Sequence, residues 1–144
     1  MPRDIWYYKG LRMGRRPIGI VRVNILSLWF TNGRPIDPEH VKVLNETFQE
    51  MGCDPDDPYN QIPAGITQKQ LYSALRLSNM NPRDLQEPLP NGSPRFLLFS
   101  SKQKLCCFRG RHRTEAAKGI NSWWTITLFL AYPNGKHMPS HYSP

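Results

Sequence analysis

Arg111, His112 and Arg113 stand in a row directly after Gly110. The stretch before them, Leu105 to Phe108, is apolar and β-prone. The stretch after them, Thr114 to Lys118, is rich in good helix formers and stopped by Gly119. The pattern predicts a strand that ends in a glycine bend and opens a helix. Such a junction leaves backbone N–H groups without intrahelical partners, and the helix dipole adds to their pull on anions. Cations at a helix start oppose that dipole by about 0.3–1 kcal/mol each, and a local rule broken without visible compensation points to function. The expected chemistry is the holding of phosphate or another oxyanion. Gly110 would permit close backbone approach, Arg111 and Arg113 would grip the phosphates, and His112 would donate a hydrogen bond. The plain alternative is a basic helix start that faces water or pairs with nearby carboxylates.

Other residue types with chemistry to offer are weaker. Glu115, or Glu39, is placed to act as a base near a bound phosphate, which makes Glu115 the candidate catalytic residue. It is equally placed to pair with Arg111 or Arg113. Phosphoryl transfer also needs a metal and a positioned acceptor, and no carboxylate pair is visible, so the residues assign no reaction. No metal site is expected. Cys106 and Cys107 are neighbours on one strand and make poor co-ligands, His137 and His141 lack further ligands, and Asp54-Pro55-Asp56-Asp57 lacks the spacing of a calcium loop. Arg12, Arg15 and Arg16, near Trp6, Tyr7 and Tyr8, form a basic, aromatic segment of the kind that holds nucleic-acid phosphates and bases.

The elements that must position these groups follow from local pattern. Ile18 to Ile25 is β-branched and alternating, hence a strand, and Asn32-Gly33 marks a turn. Asp37 caps a helix with Pro38 at its first position, and Val41, Leu44, Phe48 and Met51 give it one apolar face before Gly52 ends it. Cys53 to Asn60 is an acidic, proline-rich loop, and Gln61 to Ile66 a short strand. Thr67 and Gln70 form a capping box for a second helix through Leu71, Ala74, Leu75 and Ser78. Phe96 to Ser100 and Leu105 to Phe108 are expected to pair as a hairpin turned by Ser101 to Lys104, which would aim the second strand at Gly110. Trp123 to Leu130 is the final strand.

The bend is also where the chain resembles known families. Phe108-Arg109-Gly110-Arg111-His112-Arg113, with Glu115-Ala116-Ala117 after it, resembles the glycine-x-histidine-arginine turn of sulfiredoxin. It also resembles the arginine-rich nucleotide-binding box of ParB partition proteins. The resemblance implies a ParB/sulfiredoxin-like compact α/β (α+β) domain, a small mixed sheet flanked by helices, with nucleotide phosphates gripped at this turn. It also implies CTP or ATP with Mg2+ as the ligand. Asp37 to Val41 resembles the start of a sulfiredoxin helix whose lysine, serine and threonine contact ATP; the matching positions are His40, Val43 and Thr47. The resemblance therefore adds His40 and Thr47 to the phosphate-binding set. Sulfiredoxin chemistry needs a thiolate between the glycine and the histidine, and Arg111 stands there, so that reaction is not expected. More closely, Gly52-Cys53, Ile62-Pro63-Ala64, Gly110 to Arg113 and Trp123-Trp124, in this order, resemble an uncharacterised fungal family associated with mobile elements. That resemblance covers roughly residues 18 to 130.

Composition fits such a role. The 144 residues carry a formal net charge of +8, which favours nucleic acid, nucleotides or other acidic partners. The length suits one domain. The expected organisation is a flexible basic arm over residues 1–17, the domain over 18–131 and a flexible tail over 132–144. Within the domain, 67–93 is a helical insertion relative to sulfiredoxin, serving as lid or partner surface. Three cysteines imply no disulfide framework and fit an intracellular setting, nuclear or cytoplasmic. No run of about 18 apolar residues signals a membrane span. The functional expectation is a nucleotide- or nucleic-acid-phosphate-binding module. The alternative is a catalytically silent basic DNA-binding or scaffold protein of a fungal mobile element. The residues assign no oligomeric state.

Overall fold

The structure, a computed structural model, describes residues 7–8, 11–30 and 35–133. In chain order its strands are β1 (Tyr7–Tyr8), β2 (Leu11–Met13), β3 (Gly19–Asn24), β4 (Leu28–Phe30), β5 (Ile62–Thr67), β6 (Arg95–Phe96), β7 (Leu105–Cys107) and β8 (Trp123–Pro133). The α-helices are α1 (Pro38–Met51), α2 (Gln68–Ser78) and α3 (Arg111–Ala117). All eight strands join one mixed sheet, with the path β1-β2-β8-β5-β7-β4. The expected α/β class, a mixed sheet with helices against it, is what the chain adopts.

β8 and β5 lie parallel at the centre, Ile62 opposite Ile126 and Thr67 opposite Ala131. Every residue of β5 but the last is buried, so both faces of the sheet are covered there. β2 and β3 follow one another along the other edge of β8, both antiparallel to it. The core is filled by Val21 and Val23 of β3, Ile62 and Ile66 of β5, and Trp124, Ile126, Leu128 and Leu130 of β8.

The helices form where their caps say they should. Asp37 accepts the N–H groups of Glu39 and His40 at 3.1 and 3.4 Å, and α1 stops at Gly52, whose φ is 83°. Thr67 and Gln70 close the capping box of α2, which seats Leu71, Ala74 and Leu75 in the core. The segment expected as a lid thus contributes to the core itself. The apolar face of α1 rests on α3, where Asn45 also donates to the Ala116 carbonyl at 2.8 Å. No residue of α1 is fully buried, and Met51 is 81% exposed.

The expected hairpin does not form. β7 lies between β4, parallel, and β5, antiparallel. Both of its edges are therefore taken, and the stretch before it turns instead to β3. There Arg95 and Phe96 pair in parallel, and the Leu97 N–H donates to the Arg22 carbonyl at 2.9 Å. The ends of the domain also differ from expectation. Leu11–Met13, placed in a loose arm, is a strand on β8 with Met13 buried, and β8 continues through Tyr132 and Pro133. The Asn32-Gly33 turn, Trp6, His137 and His141 lie outside the described residues.

Candidate functional site

The strand–bend–helix predicted around Gly110 is present. β7 ends at Cys107, the Phe108 N–H donates to the Pro63 carbonyl at 3.2 Å, and α3 begins at Arg111. Gly110 has φ 93° and ψ 9°, a left-handed conformation that side chains disfavour. A Cβ there would also come within 2.9 Å of two Ile62 side-chain carbons. Glycine is needed twice over, for its backbone angle and for its lack of bulk. The bend is then tied down by Thr114, buried in the next turn, whose N–H and hydroxyl both donate to the Gly110 carbonyl, at 3.0 and 3.1 Å.

A cavity of about 670 Å³ opens in front of this bend, walled by the N-terminal half of α1, the 3-10 turn Pro58–Asn60 and the bend itself. Arg109, Arg111, Arg113, His40 and His112 all line it, and no carboxylate does among the described residues. Three guanidiniums and two imidazoles thus share one wall. The seven residues of α3 give only a short dipole; the side chains make the site.

His40 and His112 meet edge to face with ring centroids 5.1 Å apart. The Asp37 N–H donates to His112 Nε2 at 3.0 Å, so the two ends of the cavity, the start of α1 and the start of α3, are joined directly. His112 is expected to donate a hydrogen bond, but its Nε2 here accepts one; a neutral ring then carries its proton on Nδ1, the nitrogen left to donate. Arg113, expected as a phosphate contact, is also a structural tie. Its guanidinium donates to Asn60 Oδ1 and, at 3.5 Å, to the Tyr59 carbonyl, bracing the 3-10 turn against α3.

The remaining expected residues are elsewhere. Thr47 donates its hydroxyl to the Val43 carbonyl at 2.9 Å on the exposed side of α1 and does not line the cavity. Helix geometry explains this: seven positions beyond His40 is two turns further from the bend. Glu115 pairs with Lys118 at 2.7 Å and lines a separate hollow of about 220 Å³ beside Trp29 and Phe30. Arg111 borders both spaces. Arg12 lies on β2, half-buried, with its guanidinium 5.9 Å from the Tyr132 ring, and Arg15 and Arg16 are exposed on the turn after it. None of the three lines the cavity.

Sequence patterns miss the wall opposite the bend. Tyr59 and Asn60 look like the end of an acidic loop and Gln61 like the start of a strand, and only the fold carries them to Gly110. Trp124 Nε1 donates to the Asn60 carbonyl at 2.8 Å, and Asn60 Nδ2 donates to the Asp54 carbonyl at 2.8 Å. The one local signal is Asp57-Pro58, a cap and first position for the 3-10 turn. Burial pushes the Cys107 thiol far above the ordinary thiol value, and burial raises Cys53 despite the Arg113 charge.

Residues 18–138 match the N-terminal domain of a protein family of unknown function, DUF3723. The chain belongs to this family. No curated protein and no solved structure matches it. The DUF3723 match includes the described cavity walls, α1, the 3-10 turn and the bend, as well as the sheet from β3 to β8 that holds them. Among the described residues no group of three or more histidine, cysteine or acidic side chains is gathered as for a metal, and no helix is long and apolar enough to cross a membrane.

Proposed function

We propose that this DUF3723 domain is a phosphate-binding module, and that the cavity at Gly110 holds the phosphates of a nucleotide or of a nucleic acid. One observation carries the reading: three arginines and two histidines share the wall of a cavity with no carboxylate among its described lining residues. Like charges gathered in one concavity repel one another, and an anionic counter-charge relieves that repulsion. A phosphate supplies that counter-charge and accepts the planar guanidinium forks that arginine presents. Arg109 and Arg111 are the principal cations, Arg113 adds charge while holding the turn, and His112 Nδ1 and His40 serve as further donors. CTP or ATP fits the space, and Mg2+ would arrive with the nucleotide, since the wall offers it no carboxylate. No reaction is proposed, because Glu115 stands outside the cavity.

The finer kinship rests on the same place. A strand, a Gly-Arg-His-Arg bend and a helix facing it across a cleft support a ParB/sulfiredoxin-type arrangement. The ordered motifs from Gly52-Cys53 to Trp123-Trp124 support the association with fungal mobile elements. The sparse, odd cysteine content supports an intracellular setting, nuclear or cytoplasmic.

Thermal unfolding with a nucleotide panel tests the proposal. CTP or ATP at millimolar concentration, with and without Mg2+, should raise the melting temperature by mass action, and Arg111→Ala should abolish the rise. No rise for any nucleotide, together with salt-sensitive binding of duplex DNA that weakens when the exposed Arg15 and Arg16 are replaced by alanine, would instead support a basic DNA-binding or scaffold role.

A further inference from the structure

Tyr59 is 93% exposed while lining the cavity. An aromatic ring carries much apolar surface, and burial is its ordinary fate. The exposure does not come from a loose backbone. Asp57 Oδ1 accepts the Tyr59 N–H at 3.0 Å, and the Asn60 N–H donates to the Asp57 carbonyl at 2.7 Å. Asn60 is gripped on one side by Arg113 and on the other by Trp124, which is itself wholly buried. Arg113 also reaches the Tyr59 carbonyl. The turn is therefore fastened to the core and to the cationic bend together, yet the ring it presents is given almost no protein to touch.

An exposed aromatic on a turn that Arg113 ties to the cationic bend can bind a base while the bend meets its phosphate, the base stacking on the ring. We propose that Tyr59 is a stacking platform, and that the site takes a phosphate bearing a nucleobase rather than inorganic polyphosphate or a sugar phosphate. The base lies on Tyr59 while its phosphate meets Arg109 and Arg111. This deepens the phosphate-binding reading above and rests on it. The cavity, about 670 Å³, falls within the range of roughly 300–1,000 Å³ used for small ligands. Bases within a duplex are stacked on their neighbours, so the two sources are a free nucleotide and an unpaired strand.

Calorimetric titration separates these cases. The probes are sodium tripolyphosphate, CTP, ATP and a 5′-phosphorylated single-stranded oligothymidylate, each against the wild-type chain, Tyr59→Phe and Tyr59→Ala. A base-bearing probe should bind the wild type roughly tenfold or more tightly than tripolyphosphate. Tyr59→Phe should keep that margin. Tyr59→Ala should lose it, with tripolyphosphate binding and the melting temperature unchanged, as suits so exposed a position. The tighter of the nucleotides and the oligonucleotide identifies the source. If tripolyphosphate binds the wild type as well as the nucleotides do, or if Tyr59→Ala keeps the margin, the stacking role is overturned and the phosphate site stands. If no probe binds, tripolyphosphate included, both fall.

Discussion

Gly110 is the residue on which the site's geometry turns, because its φ of 93° and its closeness to Ile62 are both incompatible with a side chain. Gly110→Ala should cost about 1–3 kcal/mol of stability, seen as a lower urea midpoint. It should also weaken phosphate binding, since Arg109 and Arg111 flank the bend. An unchanged midpoint would show that the bend relaxes freely. This part of the site is legible in sequence because the glycine and its cations are adjacent. Tyr59 and Asn60 are not, for the Asn60 to Arg113 bond joins residues 53 apart and the Trp124 to Asn60 bond residues 64 apart. No local pattern records such pairings. His112 shows the same limit at one residue: its place is predicted, but the role of Nε2 as acceptor depends on where α1 begins.

At the scale of elements, the loop carrying the 3-10 turn is anchored at Asp56. That carboxylate accepts from Nε and Nη2 of Arg22 on β3 and from the Thr125 hydroxyl on β8. Arg22 in turn lies 4.2 Å from the Trp123 ring, with Phe96 behind it. Burial pushes the Asp56 carboxyl up, but the hydrogen bonds from Arg22 and Thr125 and the Arg22 charge outweigh it and hold it below the usual value. A depressed carboxylate contributes stability above the unfolded-state value of about 3.9 and loses it as the pH falls through the lower folded value. Asp56→Asn should therefore lower the urea midpoint at pH 7. Its difference from wild type should shrink steadily below about pH 4; a difference independent of pH would contradict the anchor. Helix boundaries were readable at this scale because Asp37, Pro38, Gly52, Thr67 and Gln70 are local signals. Strand partners were not. Phe96 and Leu105 have the composition of a hairpin, and only the three-dimensional demand for β7 between β4 and β5 separates them.

At the scale of the whole molecule, the net charge is +8. Among the described residues, Arg22 pairs with Asp56 and Lys118 with Glu115, and Arg95 donates to the Glu87 carbonyl at 2.8 Å. Arg109, Arg111 and Arg113 line one cavity, with no acid among the described residues of its wall. Net charge alone gives the proposed anionic partner no address; the fold brings α1, the 3-10 turn and the Gly110 bend together around the cavity where we propose that it binds. Titrating CTP and ATP into the wild-type chain and into Arg111→Ala, with heat as the readout, tests this most directly. The account predicts saturable binding of at least one nucleotide at one site, weakened at high salt and lost in the variant. Absence of saturable heat with either nucleotide at millimolar concentration, or equal binding by Arg111→Ala, would contradict it.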